Sequence, residues 1–461
     1  MPSGPSVPAV PSWAARRYGI EVTDGPAGPW SVGLSMNDLT RIALRRNPKR
    51  AQLLVSTVLG KHLPVDPRVV AGTGRLLGAL VAARMAGEPG PPAEWAPAAA
   101  AAVRGADPDR LTAALPGPAP APGVVTLGFA ETATSLGHLV ADQLGAPYLH
   151  STRRADGPVP VAAGFVESHS HATDHLLRPD GRLTLAGDGP LVLVDDELST
   201  GRTALNVIEA LHARYPRPVY VLAGLVDVRS LASDGVRAEL ADRLGCRIDV
   251  VALTRGAVRV PDGTAERVAR DLDGTAPGAP AGDGGTPPGT VRAVSLPWPA
   301  RLPHGGRHGF VAADRVEFDA TVRAAADALA RHCGDARRVL VLGTEELMYL
   351  PLRLALALRT AGRATAFQST TRSPVHAIDE PGYPIRRRID FTSAPEPGSS
   401  DRVGRHVYNA GWPDTAGGGE ADLIVVVDDG HAVDGPAGVA ASVARATRTP
   451  VVLTRLTAVA G

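Results

Sequence analysis

Cysteine is nearly absent from this sequence. Among its 461 residues only Cys246 and Cys333 are cysteines, and they lie far apart in the chain. A disulfide framework needs several cysteines that can pair, and a Cys-x-x-Cys metal site needs two close together. The sequence therefore excludes both a disulfide-rich protein and a cysteine-based metal site.

Long apolar runs and an excess of one charge are lacking as well. No stretch of about 18 apolar residues occurs, so no membrane-spanning helix is expected, and the N-terminal sequence lacks the pattern of a signal peptide. The net charge is +1 at pH 7, which gives no argument for nucleic-acid binding. We therefore expect a cytoplasmic protein whose partners are neither membranes nor nucleic acids.

Alternating apolar and amphipathic segments predict an α/β fold with parallel sheets that are covered by helices on both faces. The region 36–60 is predicted to be helical, with a break at Asn47-Pro48. Strands are predicted at 124–128, 146–150, 190–196, 218–228 and 247–253. Helices are predicted between them at 134–144, 202–214 and 232–245.

Composition divides the chain into four parts. Residues 1–30 are rich in proline and glycine and are predicted to be a flexible tail. Residues 31–273 are predicted to form the first domain, with a helical or hood segment at its N-terminus. A Gly/Pro-rich linker is expected at 274–290, and a second α/β domain at 291–461.

The pattern of the first domain recurs in the second. Segments 125–154 and 340–373 both run strand, Leu-Gly-x-x-Glu, helix, strand, Ser-Thr and Arg. Segments 189–211 and 421–443 both place two aspartates at the end of an apolar strand. We interpret this as an internal duplication with a degenerate second copy. The alternative is a chance similarity between two α/β domains.

Two aspartates and a hydroxyl-rich turn follow the strand "LVLV". In an open parallel sheet, ligands bind beyond the carboxyl ends of the strands, where Asp195 and Asp196 are expected. Adjacent carboxylates suit the two donors of a vicinal diol. The turn 199–203 contains glycine and hydroxyls and leads into a helix, which favours phosphate binding. The stretch therefore predicts a site for a ribose 5-phosphate.

The thirteen residues "LVLVDDELSTGRT" resemble the phosphoribosyl pyrophosphate signature of type I phosphoribosyltransferases. Segments 47–67, 128–137 and 165–175 look like the orotate phosphoribosyltransferase-like subfamily found in bacterial tellurium-resistance gene clusters. Its C-terminal domain carries a Thr-Arg-Ser-Pro (TRSP) mark, here 371–374. The resemblance implies a parallel-sheet type I phosphoribosyltransferase domain followed by a TRSP-type α/β domain.

The implied reaction transfers ribose 5-phosphate from phosphoribosyl pyrophosphate to a small-molecule acceptor, which is expected to be nitrogenous. Pyrophosphate is released, and the product is a nucleotide-like metabolite. Mg²⁺ is implied by the pyrophosphate, and it prefers phosphate oxygens and water to an all-protein cage. Asp195 and Asp196 would therefore contact the metal only through ribose or water.

The resemblance also assigns roles to single residues. Asp195 and Asp196 are expected to hold the ribose diol. The 5-phosphate is expected to lie on Ser199, Thr200, Gly201, Arg202 and Thr203. The diphosphate is expected to contact Gly128, Phe129, Ala130, Glu131, Thr132 and Arg153.

Glu131 is unusual in a diphosphate loop, because a carboxylate repels the ligand. It could instead hold Mg²⁺ or the acceptor, or simply be an acidic residue favoured at a helix N-terminus. Arg153 suits bidentate binding of a diphosphate, the alternative being a solvated surface residue.

The segment 155–185 is expected to be the flap that closes over the reaction. It carries Glu167, His169, His171 and His175, and some relatives use a flap lysine that is lacking here. We interpret these four residues as catalytic, acting on the leaving group or the acceptor. Zinc binding by the histidines and a purely structural role are the alternatives.

The second domain keeps Asp428 and Asp429 but replaces the phosphate-binding turn, and Asp434 would repel a phosphate. It is therefore not expected to bind phosphoribosyl pyrophosphate in the same way. A second small-molecule site is predicted instead, formed by Thr371, Arg372, Ser373, Glu345 and Glu346. The loop with His304 and His308 could cover either site.

A rival interpretation is a non-catalytic protein that senses phosphoribosyl pyrophosphate or a nucleotide. The intact signature fits both functions, the flap histidines favour an enzyme, and the short basic segment 41–50 would favour a nucleic-acid-binding regulator. Oligomeric state stays open, a homodimer being common in this fold.

Overall fold

A computed structural model describes residues 12–26, 30–45, 47, 50–154, 158–165, 175–272, 287–393, 404–413, 419–428 and 435–459. We refer to residues 12–272 as the first half and to residues 287–459 as the second half. Within the described ranges, no helix has the length and apolar character needed to cross a membrane.

The elements of the first half are, in chain order, α1 (Trp13–Tyr18), β1 (Glu21–Asp24), α2 (Met36–Leu39), β2 (Thr40–Leu44), β3 (Gln52–Ser56), α3 (Pro67–Met85), α4 (Trp95–Val103), α5 (Pro108–Ala114), β4 (Val125–Gly128), α6 (Thr134–Gln143), β5 (Tyr148–His150), β6 (Ala163–Phe165), β7 (His175–Leu177), β8 (Leu191–Leu198), α7 (Arg202–His212), β9 (Val219–Asp227), α8 (Leu231–Leu244), β10 (Arg247–Arg259) and α9 (Thr264–Leu272). The elements of the second half are β11 (Val291–Pro299), α10 (Asp314–Ala330), β12 (Arg338–Gly343), α11 (Tyr349–Thr360), β13 (Ala364–Ser369), β14 (Arg388–Thr392), β15 (Gly404–Tyr408), β16 (Leu423–Asp428), α12 (Val439–Thr447) and β17 (Val451–Val459).

The first half is built on a sheet with the order β1-β10-β9-β8-β4-β5, in which only β1 is antiparallel to its neighbour. Successive residues of β8 point to opposite faces. Val192 and Val194 pack in the same cluster as α3 and α6, whereas Leu191 and Leu193 pack with α7. Because both faces are buried, the central strands β4, β8 and β9 are largely apolar, as the sequence predicts for a parallel sheet.

The second half is built on an all-parallel sheet with the order β11-β17-β16-β12-β13. Helices α10 and α11 cover one face in a core that is continuous with that of the first half. Helix α12 covers the other face. The prediction of an α/β fold with parallel sheets and a second α/β region is confirmed.

The two halves repeat the same topology. Strands β9-β8-β4-β5 and β17-β16-β12-β13 have the same order and connections, and each half carries an antiparallel hairpin at the same point in the chain. Single hydrogen bonds repeat too. The Ser151 amide donates to the Gly128 carbonyl at 2.9 Å, and the Thr370 amide donates to the Gly343 carbonyl at 3.0 Å. This agreement supports the interpretation of an internal duplication.

Each half covers an edge strand of the other. Tyr148 of β5 exchanges two backbone hydrogen bonds of 2.8 Å with Phe310 of the second half. Phe367 of β13 exchanges two, of 2.8 and 3.0 Å, with Val65 of the first half. Unpaired edges expose hydrogen-bonding groups, so these reciprocal contacts pair part of each edge and join the halves.

The N-terminal region differs from the prediction in two places. The segment predicted to be helical over 36–60 forms only the short helix α2, followed by the antiparallel hairpin β2–β3. Leu44 at the end of β2 donates its amide to the Tyr383 hydroxyl of the second half at 2.8 Å. Such tertiary contacts override local propensity. Residues 13–24, predicted to belong to a flexible tail, form α1 and β1, because β1 pairs with β10.

Helix α3 packs closely on α6 through a glycine. A Cβ atom at Gly78 would lie 2.7 Å from Gln143 Cβ and 3.0 Å from the Val140 carbonyl oxygen. We predict that Gly78→Ala lowers the free energy of unfolding by about 1–3 kcal/mol through overpacking, although alanine is the better helix former. Urea denaturation followed by circular dichroism measures the change.

The matched control is Gly235→Ala in α8, where a Cβ atom would meet nothing within 4 Å. This substitution is expected to raise the free energy of unfolding by about 0.5–1 kcal/mol. Changes of equal sign and size in the two variants would contradict the close packing of α3 on α6.

Candidate functional site

A cavity of about 470 Å³ lies beyond the carboxyl ends of β4 and β8. Segments from both halves form its walls. They are the hairpin β2–β3 with the nearby His62, the loops after β4, β5 and β8, the start of β7, and the segment 371–374, which we call the TRSP loop. The lining residues are Arg45, Asn47, Arg50, Leu53, Leu54, His62, 129–132, Arg153, His175, 195–204 and 371–374.

One wall of the cavity is acidic. Asp195 and Asp196 lie near the end of β8, and the Asp196 amide donates to Asp195 Oδ1 at 2.9 Å. Burial, and secondarily the neighbouring Glu197, raises the pKa of Asp196 to about 6. Glu197 forms an ion pair with Arg50 of the hairpin. The wall therefore offers carboxylate acceptors at neutral pH, as the sequence predicts.

The turn between β8 and α7 adjoins these carboxylates. Gly201 immediately precedes α7 as its N-cap residue and has a φ of +69°, a left-handed conformation that favours glycine. Because glycine has no side chain, it cannot cap the first amides of α7. Amides at a helix N-terminus suit an anion, and Ser199 to Thr203 line the cavity beside them.

The opposite wall is basic, and Glu131 organises it. Lys61 Nζ lies 3.1 Å from Glu131 Oε2, and Arg372 Nε lies 2.7 Å from Glu131 Oε1. Burial alone would raise the pKa of Glu131, but Lys61 and Arg372 hold it below its ordinary value. One buried carboxylate is thus paired with two cations. The charge that Glu131 brings to the loop is outweighed, which removes the objection that it would repel an anion.

His175 and Arg153 form a second ordered pair on this wall. Arg153 Nε and Nη2 lie 3.3 and 3.2 Å from His175 Nε2. A guanidinium only donates, so Nε2 of a neutral imidazole accepts and the proton lies on Nδ1. The Nδ1 atom is 3.0 Å from Ser151 Oγ. With both ring nitrogens engaged, His175 is placed to orient Arg153.

The other three residues predicted to be catalytic, Glu167, His169 and His171, lie outside the described residues, as do Asp429 and Asp434. Within the described residues, no group of three or more His, Cys, Asp or Glu side chains could hold a metal ion.

Among the residues of the predicted second site, Glu345 and Glu346 do not border this cavity, whereas the other three do. Thr371, Arg372 and Ser373 line the cavity described above. Glu345 is buried in ion pairs with Arg405 at 3.0 Å, Arg372 at 3.2 Å and Arg154 at 3.6 Å.

Glu346 is buried between the halves as well. It accepts hydrogen bonds from Thr152 Oγ1 at 2.9 and 3.0 Å, and it forms an ion pair with Arg307 at 2.9 Å. It also borders a smaller cavity of about 250 Å³, which includes His304 and His308. The loop that carries His304 and His308 therefore borders the smaller cavity.

Sequence reasoning missed Lys61, His62 and the hairpin residues of the cavity. Lys61 is one of only two lysines in the chain, a rarity that could have drawn attention to it. His62 is 7% exposed, and burial lowers its pKa to about 3, so its ring is neutral. The contacts of these residues cross long sequence distances, and no local pattern reveals them.

Two family matches cover most of the chain. Residues 39–257 match a family described as phosphoribosyl transferase (PRTase_2), and residues 304–443 match the TRSP domain found C-terminal to it. No curated protein matches the chain.

Solved structures with local similarity include three phosphoribosyltransferases. The adenine phosphoribosyltransferase of Trypanosoma brucei is 17% identical over 29% of this chain and 57% of that chain, with a TM-score of 0.23. The Giardia lamblia enzyme is 21% identical over 29% and 70%, with a TM-score of 0.22. Orotate phosphoribosyltransferase from Aeropyrum pernix is 22% identical over 33% and 65%, with a TM-score of 0.19. The matched part is thus little more than half of the trypanosome enzyme's length.

The contact between the halves at Glu346 predicts a loss of stability in acid. Burial alone would raise the pKa of Glu346, but Arg307 and its other partners lower it from 4.5 to about 2. A carboxyl group whose pKa is lowered by folding stabilises the fold at pH values above its pKa in the unfolded state. This contribution is lost as the pH falls from about 4.5 to about 2. Between pH 5 and pH 3 the wild type should lose about 2 kcal/mol from this group.

Urea denaturation of the wild type and of Glu346→Gln at both pH values tests this. Glutamine does not titrate, so the variant should show a smaller loss of unfolding free energy by that amount. Equal losses in both proteins would contradict the assigned ion pair.

Proposed function

The chain belongs to the phosphoribosyl transferase family in which a TRSP domain follows the transferase domain, and we propose that it transfers ribose 5-phosphate from phosphoribosyl pyrophosphate to a nitrogenous acceptor. Pyrophosphate leaves and a nucleotide-like product forms. The observation that carries the proposal is a single cavity with carboxylates beside a helix N-terminus on one wall and paired cations on the other. Residues 31–273 would form the transferase domain, 274–290 the linker and 291–461 the TRSP-type domain.

The acidic wall fits the ribose 5-phosphate part of the substrate. Asp195 and Asp196 supply acceptors for the two ribose hydroxyls. The amides at the start of α7 and the hydroxyls of Ser199, Thr200 and Thr203 supply donors for the 5-phosphate. These two sets of groups are adjacent in the cavity, as a sugar phosphate requires.

The basic wall fits the diphosphate. As the bond between ribose C1 and the diphosphate oxygen breaks, negative charge grows on the leaving group. Arg153 lines the wall where that charge would lie, and Lys61 lies behind it, paired with Glu131. Cations fixed in advance stabilise such charge most effectively. His175 contributes by orienting Arg153, and we assign it this role in place of direct action on the leaving group.

Mg²⁺ fits this chemistry through the oxygen atoms of Asp195 and Asp196. Mg²⁺ prefers substrate phosphate oxygens and water to an all-protein cage, so the protein would need to supply few ligands. When bound, the ion would supply additional positive charge to the departing diphosphate. The two aspartates would contact it through ribose or water.

The acceptor would lie between the hairpin and the C-terminal half. Leu53, Leu54, Phe129 and Pro374 give this part of the cavity an apolar surface, which suits a planar ring. His62 adds a neutral imidazole to the same region. An apolar wall also excludes water, which would otherwise compete with the acceptor.

Replacing the paired aspartates tests the ribose site. Asp195→Asn with Asp196→Asn removes two charge-assisted hydrogen bonds of about 1.5–3 kcal/mol each. We predict that affinity for phosphoribosyl pyrophosphate in the presence of Mg²⁺, measured by calorimetry, falls at least ~100-fold and that pyrophosphate release stops. Asp262→Asn, at an exposed position, is the matched control. Undiminished binding by the double variant would contradict the site.

Binding should also weaken in acid. Because the pKa of Asp196 is raised to about 6, this carboxyl becomes protonated as the pH falls below 6 and loses acceptor capacity. From pH 7.5 to pH 5, its titration should weaken binding of phosphoribosyl pyrophosphate about tenfold. The ligand's own titration affects the wild type and Asp196→Asn equally. The difference between the two proteins in how affinity changes with pH therefore reports on Asp196 alone. Identical slopes would contradict the assignment.

A further inference from the structure

The TRSP loop belongs to the second half but lines the cavity of the first. Thr371, Arg372, Ser373 and Pro374 contribute to its wall. Arg372 is the cationic side chain among them. We infer that Arg372 binds the diphosphate of phosphoribosyl pyrophosphate from across the boundary between the halves. This inference rests on the proposed function and adds a substrate-binding residue from the C-terminal half.

The repeat identifies Arg372 as the counterpart of Arg153. Each arginine follows the edge strand of its own sheet, and the two turns that contain them have the same hydrogen-bond pattern. In each turn the residue after the arginine donates its amide to the threonine before it, at 3.0 Å from Arg154 to Thr152 and at 3.1 Å from Ser373 to Thr371. Two equivalent guanidinium groups, one from each half, therefore line one cavity.

The side chain of Arg372 is held in place by two glutamates. Its Nε lies 2.7 Å from Glu131 and its Nη2 lies 3.2 Å from Glu345. The loop is anchored as well, since the Tyr408 hydroxyl donates to the Ser373 carbonyl at 2.6 Å. A guanidinium fixed in this way needs little reorganisation when an anion binds, which is the condition for effective recognition.

The second half has a larger, charged residue at the corresponding place beside its own sheet. Glu345 occupies the position that Ala130 has in the first half, since both amides donate to the hydroxyl of the matching loop. The larger side chain pairs with Arg405, which is only 1% exposed. The C-terminal half thus fills its own site with an ion pair and directs its arginine to the other one.

Calorimetry with two ligands tests the inference in the full-length protein. The probes are phosphoribosyl pyrophosphate with Mg²⁺, and ribose 5-phosphate, which lacks the diphosphate. For Arg372→Gln we expect the Kd for phosphoribosyl pyrophosphate to rise at least ~20-fold, the effect of losing a charged hydrogen bond. The Kd for ribose 5-phosphate should change less than about twofold.

The matched control is Arg386→Gln in the same half, whose partner Asp379 is an exposed residue outside the cavity. It should leave both dissociation constants unchanged. If Arg372→Gln does not fold, Arg372→Lys replaces it in the test, because lysine keeps the positive charge but lacks the paired N–H donors of a guanidinium. That variant should bind phosphoribosyl pyrophosphate several-fold more weakly and ribose 5-phosphate normally.

Three results would overturn the inference. Unchanged binding of phosphoribosyl pyrophosphate by Arg372→Gln would show that the side chain does not touch the diphosphate. Equal loss for both ligands would show that Arg372 only maintains the shape of the cavity. A wild-type protein that binds neither ligand would contradict the proposed function itself, and with it this inference.

Discussion

The buried ion pairs of Glu131 with Lys61 and Arg372 are the interaction on which the structure depends. A carboxylate in such a place is tolerated only when cations and hydrogen bonds compensate it, and removing one partner is costly. Here the two compensating cations come from different halves of the chain. The same three side chains therefore join the halves and contribute to the charge of the cavity wall. A substitution at any of them would change both the contact between the halves and the binding of an anion.

The repeat explains how this arrangement arises from two similar halves. At the equivalent place on the other side, Glu346 pairs with Arg307 and accepts from Thr152, which repeats the pattern of a glutamate held by both halves. The halves differ in the residue that precedes this glutamate. A small residue at Ala130 leaves room in the first half, whereas Glu345 and Arg405 fill that room in the second. A symmetrical framework thus carries different side chains at the two equivalent positions, and the small one borders the cavity.

Local features of the site could be predicted from the sequence because their pattern is contiguous. The strand before Asp195 and the helix after Gly201 lie within one or two residues of the predicted bounds. The hairpin β2–β3 could not be predicted, because contacts with the second half decide its conformation. The contact of Glu131 with Lys61, which is 70 residues away, could not be predicted either. Periodicity indicates which face of an element is buried but not which distant residue contacts it.

The distribution of the residues predicted for a second site has the same origin. A loop with hydroxyls and an arginine after a strand indicates anion binding, and the TRSP loop has this local pattern. A local pattern does not reveal the reciprocal pairing of β5 and β13 with the opposite halves, which brings the loops after both edge strands to one boundary. Once both loops meet there, two arginines serve one anion more effectively than two sites with one arginine each, because the attraction of fixed charges for a diphosphate adds.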